Sequence, residues 1–321
     1  MGFHLPLIFA LLSLAAVALA NHAAQPAPQL YWNSVLLNTQ MPRAISELLH
    51  PGLYSTNEEK STNIMNAVGN GKPTDLIPLG AGYGIQYDRL TDNELHYKNV
   101  TLYFFEKDIR PGATMNFQFP RNSNTATFLP RKSAQSIPFS SNKLSEIFNH
   151  FSAKPTSVEA KTIKKTIEVC EAPGIKGEEK YCATSLESMV DFSTSKLRTR
   201  NVQAISTEVL EKGATMSMHK YTTMPGLKKL AGDKVVVCHK QNYPYAVFYC
   251  HVIKPTAAYV LSLKGDDGVK VKAVAVCHLD TSEWNPKHLA FQILKVKPGT
   301  IPICHFLPTD HIIWVPNRKS G

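Results

Sequence analysis

The dipeptide Cys-His occurs four times, as Cys238-His239, Cys250-His251, Cys277-His278 and Cys304-His305, in a chain of 321 residues with only six cysteines. Each copy sits in an apolar run rich in β-branched or aromatic residues, such as KVVVCH or YAVFYCHVI, and such runs predict strands. Neighbouring side chains on a strand point to opposite faces, so every copy sends its sulfur one way and its imidazole the other. A disulfide can then form on one face while the other presents a metal ligand, and the covalent link holds the ligand-bearing strands in register. Zinc-thiolate sites fit this pattern poorly, because there Cys and His converge on one ion from turn-separated pairs. Four imidazoles suit Cu(II), which outcompetes the other divalent first-row ions at nitrogen sites, and Zn(II) stays open on this argument. A lone histidine on a strand is usually structural; the repetition of the dipeptide is what points to a ligand set.

The redox state of the thiols depends on compartment. Residues 1–20, MGFHLPLIFALLSLAAVALA, carry no charged side chain and end in Ala18-Leu19-Ala20, the small-x-small pattern of a signal peptidase site. They are expected to be a signal peptide that routes the chain into the secretory pathway. No later segment approaches the ~20 uninterrupted apolar residues of a membrane anchor. In an oxidising lumen Cys170, Cys182, Cys238, Cys250, Cys277 and Cys304 form an even set, with ~15 possible three-bridge connectivities. Asn99, in Asn99-Val100-Thr101, is an N-glycosylation acceptor on the same route. A net charge of +10 would attract polyanions such as acidic cell-wall polysaccharide, membrane or nucleic acid, but its diffuseness reads first as a solvated basic surface. The charge is spread in singles and pairs, and no Walker loop, zinc-finger spacing or aromatic-basic platform argues for nucleic acid.

Residues 21–98 are rich in Pro, Asn, Gly and Ser. They read as a loosely ordered leader with one helix, MPRAISELL, opening at Pro42 and stopping before Pro51-Gly52. Within the leader, LGAGYGIQY lacks a following helix signal and reads as a loop rather than a dinucleotide fingerprint. VTLYFFEKDI predicts a strand ending at Arg110-Pro111-Gly112. SSNKLSEIFNHF, SVEAKTIKKTIEVC and TSLESMVDFSTSKL have helical apolar spacing and predict amphipathic helices. Beyond about residue 230 strands dominate: KVVVCH, YAVFYCHVI, AAYVLSLKG, VKAVAVCH, AFQILKVKP, IPICHF and HIIWVP. Helices followed by a run of strands predict an α+β domain with a mainly antiparallel sheet core in its C-terminal half. Near the third dipeptide, Asp280, Glu283 and His288 are candidates to orient an imidazole, or else serve as a helix cap and surface charges. Trp284 and Trp314 read as core aromatics of the late strands. No Ser-His-Asp order or paired-carboxylate motif suggests a hydrolase.

The dipeptides are spaced CH-x10-CH-x25-CH-x25-CH, which closely resembles the signature of the plant BURP domain family. FFEKDIRPG, GEEKYCATSLESMVDF, AVCHLDTSEWNP and ICHFLPTDHIIWVP are similar to the family over residues 101 to about 317. YWNSVLLNTQMPRAISELL resembles the segment that follows the signal peptide in many members, with Leu37-Asn38-Thr39-Gln40 where the family more often has Pro-Asn-Thr-Pro. The long central repeats of the dehydration-responsive and polygalacturonase-subunit branches are absent, and the chain is most similar to the short seed- and microspore-expressed members. The expected organisation is a signal peptide at 1–20, a leader at 21–98 and a single BURP domain at 99–317.

The resemblance implies disulfide-stapled histidine copper centres. His239, His251, His278 and His305 would be the ligands of up to two Cu(II) ions, and Cys238, Cys250, Cys277 and Cys304 the staples. Cys170 and Cys182 would form a separate bridge, limiting the unfolded chain by ~3 kcal/mol in the loop-entropy account. The implied setting is the extracellular space, cell wall or storage vacuole, and the implied role lies in seed, pollen or cell-wall development or stress response. Some members are autocatalytic peptide cyclases that use copper and dioxygen to cross-link a Trp or Tyr of their own chain. Here NSNTATFLPRKSAQSIPFSSNK, downstream of the FF strand, holds neither residue, so such a substrate reduces to Tyr31-Trp32 or to Tyr83 and Tyr87 in the leader. A non-catalytic basic wall-binding or storage protein is the remaining alternative.

Overall fold

The computed structural model describes residues 26–49, 101–119, 126–211, 218–230 and 234–317. The expected signal peptide, Asn99, Tyr83 and Tyr87 lie outside these residues. From the leader come helices α1 (Ala27–Val35) and α2 (Arg43–Ser46). Strands β1 (Phe104–Phe105) and β2 (Thr114–Phe117) precede helices α3 (Arg131–Gln135), α4 (Leu144–His150) and α5 (Val158–Glu171). Next are β3 (Glu179–Ala183), α6 (Leu186–Leu197), β4 (Val202–Ile205), β5 (Glu208–Val209), β6 (His219–Thr223) and β7 (Lys228–Lys229). The C-terminal part holds β8 (Val236–Gln241), β9 (Val247–Val252), β10 (Thr256–Gly265), β11 (Lys270–His278), α7 (Leu289–Leu294), β12 (Ile303–Phe306) and β13 (Ile312–Pro316). This is the expected α+β class, with helices ahead of antiparallel strands.

The amphipathic helices form where their periodicity places them, and two begin on serine caps. Ser157 Oγ accepts the Ala160 amide at 3.2 Å to open α5, and Ser185 Oγ accepts the Ser188 amide at 3.1 Å to open α6. Each satisfies an amide that has no partner inside its helix.

Two segments depart from expectation. AFQILKVKP is not a strand: its first five residues belong to α7, which opens one residue earlier at Leu289. His288 caps it by accepting the Ala290 amide at 3.1 Å, its apolar side buries Leu289, Ala290 and Phe291 against Trp284 and Tyr103, and Lys295 ends it in the left-handed region at φ 54°. Trp284 is buried as expected but sits in the connection before this helix rather than on a strand. VTLYFFEKDI keeps only Phe104–Phe105 as strand, because Asp108 turns back to accept the Phe105 amide at 3.1 Å and closes a 3-10 turn over Glu106–Asp108. Within the leader, MPRAISELL shortens to α2, while α1 is an element that the composition did not announce. It buries Trp32, 1% exposed, against Trp314 of β13 with ring centroids 5.5 Å apart.

The strands make two antiparallel sheets. The large sheet has eight strands, with the path β1-β12-β11-β10-β6-β2 and with β5 and β7 added on β11 and β10. The small sheet has five, in the order β3-β9-β8-β13-β4. Alternation along the strands sorts side chains onto faces. Val237, Ile313 and Val315 of the small sheet meet Ala258, Val274 and Val276 of the large one in a shared inner cluster. The outer face of the small sheet, with Val236, Cys238, Phe248 and Cys250, is covered by α6 and the leader helices. On the large sheet Ala275, Cys277, Cys304 and Phe306 turn outward.

Candidate metal centre

The Cys-His dipeptides fall on two adjacent strand pairs, one in each sheet. Cys238 stands opposite Cys250 across β8 and β9, and Cys277 stands opposite Cys304 across β11 and β12. Both pairs are disulfide-bonded, and a third disulfide joins Cys170 at the end of α5 to Cys182 in β3. One residue on from each sulfur the histidines turn to the other face. The same device is thus built twice: sulfur outward, imidazole into the space between the sheets.

There the four rings meet. His239 and His251 bring their Nε2 atoms to 3.1 Å, and His278 stacks on His305 with centroids 5.6 Å apart and planes at 18°. His239 and His305 bridge the two sheets at 6.4 Å between ring centroids. All four residues are between 2% and 6% exposed, so the site is closed to bulk water. A fifth imidazole joins them, one that the spacing of the dipeptides did not single out: His311 places its Nδ1 3.0 Å from Nδ1 of His239. Its position follows from register, since Ile312 lies opposite Cys238 and the preceding residue must therefore lie beside His239. The alternation of HIIWVP was the signal that could have found it.

Glu178 is a second unanticipated member. It precedes β3, its side chain is wholly buried, and one carboxylate oxygen lies 2.9 Å from His251 Nδ1 and accepts the Tyr249 hydroxyl at 2.8 Å. The other oxygen accepts the Ile175 amide at 3.0 Å. Burial raises the Glu178 pKa, but the hydrogen bonds and the charge of His251 outweigh it and hold the carboxyl below its usual range. An acceptor there places a proton on His251 Nδ1 and leaves Nε2 as the nitrogen that faces His239.

Burial, reinforced by neighbouring imidazoles, pushes His239 and His278 well below the ordinary histidine range, and burial brings His305 down to about 4. His311 is lowered by burial as well. These rings are neutral at pH 7 and keep a lone pair. His305 Nδ1 donates to the Phe306 carbonyl at 3.2 Å, which leaves Nε2 as the nitrogen with the lone pair. Nitrogens 3.0–3.1 Å apart are at hydrogen-bond distance, and also at the separation of adjacent ligands on an ion bonded at ~2.0–2.1 Å. An all-imidazole donor set fits Cu(II) or Zn(II), not an oxygen-seeking Ca²⁺ or Mg²⁺.

The other sequence candidates divide. His288 is buried, 4.6 Å from the Trp284 ring, which in turn lies 5.0 Å from that of His278. Its Nδ1 is engaged in capping α7. Asp280 and Glu283 do not orient an imidazole: Asp280 closes a turn on the Ser282 amide, and Glu283 pairs with exposed Lys176. Tyr31 and Trp32 lie with the outer cluster of the small sheet, on its sulfur side. The close imidazole nitrogens meet in pairs, His239 with His251 and His239 with His311; among the described residues the set whose ligand atoms all lie within 4.8 Å of one another is instead the half-exposed His219 with Asp266 and Asp267, where both ring nitrogens of His219 already face carboxylates, at 3.1 and 3.2 Å.

Compared with known families, residues 102–316 match the BURP domain. BURP domain protein RD22 of Arabidopsis thaliana is 52% identical over 240 residues, 74% of this chain and 60% of that protein. BURP domain-containing protein 3 of Oryza sativa subsp. japonica is 49% identical over 256 residues, 78% of this chain and 58% of the relative. The chain therefore spans about three fifths of the length of these two relatives. BURP domain-containing protein 5 of the same rice is 42% identical over 304 residues, 94% of this chain and 90% of the relative. On a match that covers more than half of its residues, the chain belongs to the BURP domain family.

Proposed function

We propose that this protein is a secreted BURP-domain protein that binds up to two Cu(II) ions between its sheets, acting outside the cell or in a storage vacuole in seed, pollen or cell-wall development or stress response. His239 and His251 offer ligands from the small sheet, His278 and His305 from the large one, and His311 is added to the expected set. The observation that carries the reading is the convergence of five buried imidazoles on facing strands. Copper rather than zinc is favoured by its higher affinity for nitrogen donors. Bound copper supplies one-electron and dioxygen chemistry. The chain's own part is to exclude water, to hold the rings by disulfides on the strands behind them, and to fix the His251 tautomer through Glu178.

Metal analysis and electron paramagnetic resonance of the purified protein test this. Copper with nitrogen hyperfine coupling is expected, with part lost in His239→Ala/His251→Ala and the rest in His278→Ala/His305→Ala. Undiminished copper in the quadruple variant, with all three disulfides intact, would end the proposal.

Self-cross-linking at Tyr31-Trp32 is disfavoured by position. Trp32 is buried on the sulfur-bearing side of the small sheet, and the imidazoles lie on the other. The peptide bearing Tyr31-Trp32 is expected to keep its mass after treatment with copper and dioxygen, and a loss of two hydrogens there would restore the cyclase reading.

A further inference from the structure

At one end of the small sheet Glu179 opens β3, Lys234 precedes β8 and Lys254 follows β9, while the end of α6 contributes Ser195, Lys196 and, just beyond it, Arg198. These residues line a cavity of about 330 Å³, at the small end of the range for ligand pockets. Lys196 pairs with Glu179 at 2.5 Å. Arg198, Lys234 and Lys254 make no salt bridge among the described residues, so the described lining of the cleft sets four cationic side chains against one carboxylate. Like charges gathered around a cavity raise the local potential and attract an anion.

Beside the cleft lies a flat aromatic surface. Tyr181 shares a face of β3 with Glu179, is 43% exposed, and stacks on Phe192 of α6 with centroids 5.5 Å apart and planes at 21°. Lys196, one turn on from Phe192, lies 5.5 Å over that second ring and so ties the aromatic pair to the cationic wall. A ring held from behind and open in front offers an apolar face next to charge.

We propose that this cleft binds the carboxylates of an acidic oligosaccharide, with the C–H face of one sugar lying on Tyr181. Inorganic phosphate has no use for the ring, and single-stranded nucleic acid calls for successive aromatic faces along a basic groove, where here one exposed ring adjoins a short cleft. The site gives the diffuse net charge a definite place to act. It stands apart from the metal reading and does not depend on it.

The test is calorimetric titration of the purified protein with a short unesterified oligogalacturonate. The comparison ligands are its methyl-esterified form, inorganic phosphate and an oligothymidylate. Binding is expected for the unesterified oligomer and to weaken with salt. Lys234→Gln/Lys254→Gln should reduce it by roughly tenfold, Tyr181→Ala by about fivefold with no change toward phosphate. Lys161→Gln/Lys165→Gln, which removes the same charge from the exposed side of α5, should leave it within twofold. Equal loss in both lysine pairs would assign binding to overall charge and overturn the site. Equal affinity for the esterified oligomer, or tighter binding of phosphate or oligothymidylate, would overturn the ligand class. No binding of the unesterified oligomer by the folded protein overturns both.

Discussion

Glu178 decides which nitrogen of His251 carries a proton. Carboxylates behind metal-bound imidazoles raise ligand basicity and set ring orientation, and their loss typically weakens metal binding ~10–100-fold. Glu178→Ala is therefore expected to lower copper affinity by about that factor in a competitive titration, while the three disulfides stay formed; unchanged affinity would reduce Glu178 to packing. A second expectation concerns acid. His305 titrates near 4 in the folded protein and at about 6.5 when unfolded. Between these values the unfolded chain binds a proton that the folded one refuses, so stability is intact above pH 6.5 and is lost as pH falls through about 4. The shift corresponds to roughly 3 kcal/mol from His305 alone, and His239, His278 and His311 act in the same direction. The urea midpoint of metal-free protein should fall steadily from pH 7 to pH 4, and a flat profile would mean that the rings are already hydrated. His239, His251, His278 and His305 were legible from the repeated dipeptide, whereas Glu178 was not, since only the pairing of β3 with β9 brings it to His251.

Helix α1 lies upstream of the matched domain yet packs into its core. Trp32 fills space against Trp314 and donates its indole N–H to the Thr39 carbonyl at 3.2 Å. Trp32→Ala should cost about 3–5 kcal/mol, the usual range for a buried large aromatic. Chemical denaturation measures this, and a cost below about 1 kcal/mol would show that α1 rests on the domain without supporting it. Nothing local foretold this packing, because APQLYWNSV has no strong helical periodicity and its partner lies near the other end of the chain. The reverse happened at AFQILKVKP. Its residues suit a strand, but the cap at His288 and the apolar pocket around Trp284 stabilise a helix instead. Short apolar runs are ambiguous in this way, and tertiary packing arbitrates.

The two sheets carry one device in duplicate, and the disulfides Cys238–Cys250 and Cys277–Cys304 each span residues directly opposed in register. Replacing Cys277 and Cys304 together by Ala is expected to destabilise the protein by about 2–5 kcal/mol. It should also loosen the stacked His278 and His305, read as faster loss of copper to a chelator. Equal retention would mean that packing alone sets the spacing of the rings. The strand period of two is a local rule, so the sequence by itself determined that sulfur and imidazole would part to opposite faces at all four dipeptides. It also determined the α+β class and the positions of the two serine-capped helices. Which cysteine meets which, how the two imidazole faces come to look at one another, and how His311 and Glu178 join them were decided only in three dimensions. Those outcomes depend on strand pairing and sheet stacking between segments far apart in the chain, and no local preference encodes them.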